Sequence, residues 1–361
     1  MRVALIGTRG APARYGGFET AVEEIGAGLA ERGHDVTVYC RTEIDAGPTY
    51  RGMRRVVLPA LRRKAVETIS HSGLSTLHAL WHRAEVAIVF NAANAPFLLL
   101  MRLAGIRTLL HIDGHDARRQ KWRGAGQRYY SWATRLGLRL AHVVVVDSMA
   151  MQREIKALYG VDSAYIAYGA RTSAGSRAEV ADLLEPLRFE PDGYHLVVAR
   201  FEPENHVYEI LRDYVASEAE LPLVVVGFEG FPSYYDAQIA AIDDPRVIRL
   251  GAVWDQELLD ALYAGAATYV HGHSVGGTNP SLLRAMVNGA PVIAYDCVYN
   301  QETTGGEALW FDNVGTTAGE LMAKSERDDF RGDRGELGRQ RALTHYTWPD
   351  VVGAYVSLFC Q

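Results

Sequence analysis

The chain has 361 residues, 48% of them hydrophobic and 22% charged. That length is too great for one ordinary core and suits two globular domains. The net charge of −6 hides an asymmetry: residues 1–170 hold 23 Lys and Arg against 14 Asp and Glu, and the remainder holds 14 against 29. No uncharged apolar run is long enough to span a bilayer, and MRVALIG lacks the apolar core and cleavage site of a signal peptide. Cys40, Cys297 and Cys360 lie too far apart for a disulfide framework or a metal site, so a cytoplasmic setting is expected. Basic clusters at Arg51, Arg54, Arg55, Arg62, Arg63 and Lys64, and at Arg118, Arg119, Lys121, Arg123 and Arg128, are either solvated surface or a face for anionic headgroups. They are not interleaved with stacking aromatics, which argues against nucleic acid.

In chain order, VALIG (3–7) is the first predicted strand. The stretch GTRGAPARYGGFETAVEEI (7–25) follows, and Gly16-Gly17 open an amphipathic helix that stops at Gly33. Glycines there let backbone approach a ligand at a helix N-terminus. The spacing Gly7-x-x-Gly10 is not a dinucleotide fingerprint, and the next strand, DVTVYC (35–40), ends in Cys40-Arg41 rather than an acid. Further strands are predicted at 54–60, 85–92 and 108–113. The last leads into HIDGHDARRQKWR (111–123), where Asp113, His115 and Asp116 sit among cations, as in a surface loop or a site of acceptor recognition or proton transfer. Strands at 142–148 and 164–170 close the first series.

The stretch RTSAGSRAEVADLLEPLRFEPDG (171–193) is small, charged and proline-containing, and reads as an interdomain linker with one short helix. A second series follows at 195–200, 221–227, 247–253, 267–273 and 290–296. Arg200 ends its first strand, where it could clamp a phosphate, beside Glu202-Pro-Glu204-Asn205. In HGHSVGGTNPSLLRAM (271–286), Asn279 suits a helix cap and Pro280 the first helical position. Gly276, Gly277 and Thr278 would present amides to a diphosphate, and Arg284 falls on the helix face away from the core, toward solvent or a ligand. Continuous apolar strands alternating with helices predict an α/β architecture of two doubly wound, Rossmann-like parallel sheets. Ligands are then expected beyond the carboxyl ends of the strands.

Taken together these motifs resemble the GT-B glycosyltransferases of the retaining family four, and within it a bacterial rhamnosyltransferase-like branch of capsule and cell-wall polysaccharide synthesis. The similarity is carried by GTRG and GGFET near the start, VDS (146–148), IAYGA (166–170), VVAR and EPEN (197–205), DQELLDALY (255–263) and HGHSVGGTNPSL (271–282), over nearly the whole chain. The resemblance implies an acceptor domain over residues 1–172, a linker over 173–192, a nucleotide-sugar domain over 193–343 and a helix over 344–361 that crosses back to the first domain, the two domains facing a cleft. It implies transfer of a sugar, such as rhamnose or another deoxysugar, from a nucleoside-diphosphate sugar to a saccharide or glycolipid. No cofactor and no metal is implied. Asp113 and Arg200 would be catalytic. Donor binding would fall to Gly16, Gly17, Arg200, Glu204, Asn205, Gly227, Val253, His273, Gly276, Gly277, Thr278, Asn279 and Arg284. Acceptor binding would fall to Arg14, Tyr15, Phe18, His115 and Asp116, with the basic first domain touching an anionic membrane. Alternatives are a sugar-nucleotide epimerase or hydrolase of this fold and a non-catalytic partner subunit. The wider family has acids where Gly276 and Arg284 stand and a lysine at Asn205, and the branch reads D-G-L-E-W where residues 113–117 read DGHDA.

Overall fold

The computed structural model describes residues 1–13, 17–41, 47–61, 67–112, 124–171, 175–227, 234–327 and 332–360. Contacts divide the chain into two units, Met1–Gly169 with Trp348–Gln361, and Ala170–Thr347.

The first unit carries strands β1 (Arg2–Ile6), β2 (Asp35–Cys40), β3 (Thr49–Tyr50), β4 (Met53–Val57), β5 (Val86–Phe90), β6 (Arg107–Ile112), β7 (Val143–Val146) and β8 (Ala164–Tyr165). They form one sheet in the order β3-β4-β2-β1-β5-β6-β7-β8, and only the β3–β4 pair is antiparallel. Helices α1 (Gly17–Glu31), α2 (Glu67–Trp81), α3 (Leu98–Leu103), α4 (Ala125–Leu140) and α5 (Met149–Tyr159) connect the strands. All five residues of β5 are buried, as a parallel strand covered on both faces requires.

The second unit carries β9 (His195–Val198), β10 (Leu223–Val226), β11 (Val247–Gly251), β12 (Thr268–His271), β13 (Val292–Tyr295) and β14 (Ala308–Phe311), a parallel sheet in the order β11-β10-β9-β12-β13-β14. Its helices are α6 (Arg177–Leu184), α7 (Val207–Val215), α8 (Tyr234–Ala240), α9 (Gln256–Ala264), α10 (Pro280–Val287), α11 (Val298–Thr304), α12 (Ala318–Arg327) and α13 (Gly332–His345). In each sheet the first strand sits inside, so the order reverses at β1/β5 and at β9/β12. Such a reversal opens a crevice at the carboxyl edge.

Three details differ from the sequence reading. Edge strands β3 and β14 were not predicted, because Thr-Tyr and Ala-Leu-Trp-Phe are too short to stand out. Part of the stretch read as a linker folds onto the second unit: Ser176 caps α6 reciprocally with Glu179, Val180 and Leu184 are buried, and α6 packs on α9. The final helix, α14 (Trp348–Ser357), begins later than 344 because α13 continues to His345. It joins the first unit, where it packs on α1, and the Tyr355 hydroxyl lies 2.5 Å from His111 Nδ1. No helix among the described residues is long and apolar enough to cross a membrane.

Candidate functional site

The reversal point of the second sheet brings two turns together beyond β9 and β12. A Cβ on Gly272 would stand 2.1 Å from the Asn205 carbonyl oxygen, so the close approach of these turns requires glycine. Asn205 Nδ2 donates to the Arg200 carbonyl at 2.8 Å, which turns Oδ1 toward His273 Nδ1, 2.6 Å away. An amide oxygen only accepts, so His273 carries its proton on Nδ1. The Ser274 amide and hydroxyl both donate to the Glu204 carbonyl, at 2.9 and 3.1 Å. Asn300 Nδ2 donates to the His273 carbonyl at 2.9 Å and so holds the strand end from α11.

Several polar groups at these turns are left without partners. Gly276 and Gly277 are buried, yet among the described residues their amides donate no hydrogen bond. Gly276 has φ 126°, a conformation that favours glycine. Buried amides without partners are rare and point to a ligand. Thr278 is buried beside them, and Asn279 caps α10 by accepting from the Ser281 amide at 2.9 Å, with Pro280 following. The Arg200 guanidinium has no hydrogen bond or ion pair among the described residues. Buried Glu204 has an Oε2 without a partner among the described residues. The turns thus offer two amides, a cation and a helix N-terminus to an anion, and one carboxylate oxygen to a hydroxyl. Gly227 and Val253 follow β10 and β11 on the same edge of the sheet. Among the described residues no group of three His, Cys, Asp or Glu side chains is placed to hold a metal ion.

Arg284 takes a place that neither sequence alternative foresaw. Its Nε pairs with Asp260, Nη1 donates to Gln256 Oε1 at 2.9 Å and Nη2 to the Gln256 carbonyl at 2.8 Å. The guanidinium also lies over the Tyr263 ring, 5.8 Å from its centroid. It ties α10 to α9 and is not a solvated cation. Sequence reasoning also missed His271, which is fully buried at the end of β12 and 3.0 Å from the Tyr269 hydroxyl. Burial pushes its pKa down to about 3, so it is neutral beneath the turn.

The first unit holds a second strand–glycine–helix turn. Phe18, in the first turn of α1, sets its ring edge-on to Phe90 and His111, at 5.7 and 5.8 Å. Here carboxylates from α1 occupy the loop amides. Glu19 Oε1 accepts from Arg9 N at 3.2 Å, and Glu23 Oε2 accepts from Ala13 N at 2.7 Å. Burial pushes the Glu19 pKa up, against opposing hydrogen bonds and the Arg41 charge. Gly17 begins α1, whereas Arg14, Tyr15, Gly16, Asp113, His115 and Asp116 lie outside the described residues.

Family models match both units. Residues 16–169 match the glycosyl transferase 4-like domain, and residues 193–323 match glycosyl transferases group 1. The O-antigen chain mannosyltransferase B of Escherichia coli is 25% identical over 195 residues, 51% of this chain and 50% of that one. The chain thus spans about half the length of the curated relative it matches. Among solved structures, sucrose-phosphate synthase from Thermosynechococcus elongatus aligns with a TM-score of 0.81 at 18% identity, covering 99% of this chain and 98% of that one. Anabaena HepE, solved with UDP-glucose, aligns at 0.77 with 14% identity and 99% of both chains. The chain therefore joins a glycosyl transferase 4-like domain to a glycosyl transferases group 1 domain, on the GT-B fold of two Rossmann-like units.

Proposed function

We propose that the chain is a retaining, metal-independent glycosyltransferase that moves a sugar from a nucleoside diphosphate to a saccharide or glycolipid acceptor. The observation that carries this reading is the set of groups beyond β9 and β12 that have no partner among the described residues: the buried Gly276 and Gly277 amides and the Arg200 guanidinium. These would receive the diphosphate, with the N-terminus of α10 aligned behind them. Glu204 Oε2 would accept a hydroxyl of the donor. As the bond between the anomeric carbon and the diphosphate oxygen breaks, the electron pair passes to that oxygen, and the amides and Arg200 stabilise it. The acceptor hydroxyl adds on the same face of the sugar, and its proton goes to the leaving phosphate. No side-chain base is then needed.

The UDP-glucose of HepE and the mannosyl transfer in the name of the Escherichia coli relative support a sugar-nucleotide donor. The resemblance of HGHSVGGTNPSL to the rhamnosyltransferase-like branch supports a deoxysugar such as rhamnose. Calorimetry with thymidine, uridine, guanosine and adenosine diphosphates tests the reading, because a ligand that binds only the folded state stabilises it. One base is expected to bind, and its sugar conjugate to be consumed with acceptor present and with a chelator added. If none of the four binds, the reading fails.

A further inference from the structure

We propose that Tyr355 and His111 act together as positioning residues for sugar transfer, an inference that rests on the function proposed above. Four segments of the first unit meet at the His111 ring, which ends β6. Phe90, at the end of β5, lies nearly parallel to it, with centroids 5.3 Å apart and planes at 24°. Tyr168, in the stretch IAYGA, is also nearly parallel, at 5.5 Å and 9°. Phe18, in the first turn of α1, stands at 90° to it, 5.8 Å away. Tyr355 comes from α14, 244 residues further along the chain, and brings its hydroxyl to 2.5 Å from Nδ1. Both His111 and Tyr355 are buried, each only 1% exposed.

Packing alone does not call for this pair. A buried polar group costs stability unless it is hydrogen-bonded, and apolar residues of the same size would fill the space as well. What the pair adds is direction. Parallel stacking fixes the plane of the imidazole but not which edge faces α14, since a half-turn about the Cβ–Cγ bond keeps the plane. The bond to Tyr355 selects the Nδ1 edge, as satisfied buried polar contacts select one arrangement of a core. Burial, together with the charge of Asp147, pushes the Tyr355 pKa up, so the hydroxyl keeps its proton.

The segments joined here carry the residues that the resemblance gives to the acceptor and the chemistry. Phe18 follows the Gly16-Gly17 turn, and Asp113 follows His111 by two residues. A misplacement of about 1 Å, even from a change far from the chemistry, costs on the order of a hundredfold in rate. A ring that sets the spacing of the α1 turn and the end of β6 therefore sets the rate without touching substrate. Arg200, Gly276 and Gly277 belong to the second unit, so nucleotide binding does not depend on the pair.

Tyr355→Phe and His111→Leu each remove the bond, whereas His111→Asn keeps a polar amide where Nδ1 stands. The full chain and these variants are compared by hydrogen exchange and by hydrolysis of glucose, mannose and rhamnose conjugates of the same four nucleoside diphosphates, with water as acceptor. Tyr355→Phe and His111→Leu should speed exchange at residues 17–24 of α1 about tenfold, as expected for the loss of one buried hydrogen bond. They should lower kcat about tenfold to a hundredfold and leave KM for the nucleotide sugar unchanged. His111→Asn should recover most of both. Because the two residues act as one unit, the double variant His111→Leu with Tyr355→Phe should be no slower than either single one. The proposal is overturned if Tyr355→Phe matches the parent in exchange and kcat, if the loss falls on KM, if the two losses add, or if His111→Asn is as slow as His111→Leu. A parent that consumes none of the conjugates overturns the function proposed above instead, and exchange in α1 then decides the positioning role by itself.

Discussion

The two strand–glycine–helix turns differ in who satisfies the backbone. After β1, the loop amides of Arg9 and Ala13 are held by Glu19 and Glu23 of the helix that follows. After β12, the helix contributes only a neutral cap, Asn279, and the buried amides of Gly276 and Gly277 have no partner among the described residues. At the first turn the Arg9 and Ala13 amides are already taken, and Arg14, Tyr15 and Gly16 lie outside the described residues, whereas the second turn offers unmet donors and an arginine without a partner among the described residues, which attract a phosphate. Shared architecture therefore does not imply shared chemistry.

The largest expected effect comes from crowding the turns. An added Cβ at Gly272 would stand 2.1 Å from the Asn205 carbonyl oxygen, and one at Gly7 would stand 2.2 Å from the Phe90 carbonyl oxygen. Gly272→Ala and Gly7→Ala should each destabilise by about 3 kcal/mol in urea titrations. Only the former should abolish nucleotide binding by the folded protein. Equal loss of binding in both would erase the distinction between the turns. Next, Arg200→Ala should weaken nucleoside-diphosphate binding by about thirtyfold to a hundredfold in calorimetry, from about 2–3 kcal/mol for a charged hydrogen bond. Unliganded stability should hardly change, because the side chain has no partner among the described residues to lose.

Arg284→Ala should do the reverse. It leaves Asp260 with only the longer bond from Asn288 and loosens α10 from α9, lowering stability by about 1 kcal/mol, with nucleotide affinity changed less than about threefold. A large affinity loss with unchanged stability would return Arg284 to the ligand. The most gradual effect is in the pH dependence, where the turns have opposite signs. Glu19 has a raised pKa, so its contribution is complete below the unfolded value of 4.5 and is lost as pH rises through the folded value. His271 is lowered from 6.5 to about 3, so its contribution is complete above 6.5 and is lost as pH falls toward 3. Glu19→Gln should flatten the alkaline side and His271→Asn the acid side, each by at most about 1.4 kcal/mol per pH unit in urea titrations taken across pH. Parallel pH profiles for parent and variants would contradict the assignment.

Much of this was legible in the chain. Apolar runs such as VAIVF and LVVV announced buried parallel strands, because a parallel strand covered on both faces has no polar side to show. The Asn279-Pro280 start of α10 was equally plain, since capping is local chemistry. Arg284 was not: a helical wheel turned it from the core, but its partners Gln256 and Asp260 lie 28 and 24 residues earlier, beyond any local pattern. The bond between His273 and Asn205, 68 residues apart, was hidden for the same reason.

By itself, then, the sequence determined the α/β class, the order of strand and helix, the charge asymmetry and the turns where a ligand could bind. Those follow from periodicity and from residues whose preferences act over one or two turns of chain. Tertiary structure alone decided which turn keeps its amides unmet, where Arg284 spends its charge and which residue holds His273 in place. Each of these depends on groups brought together by sheet order, and hydrogen bonding is settled by what lies within about 3 Å in space rather than by what is next in the chain.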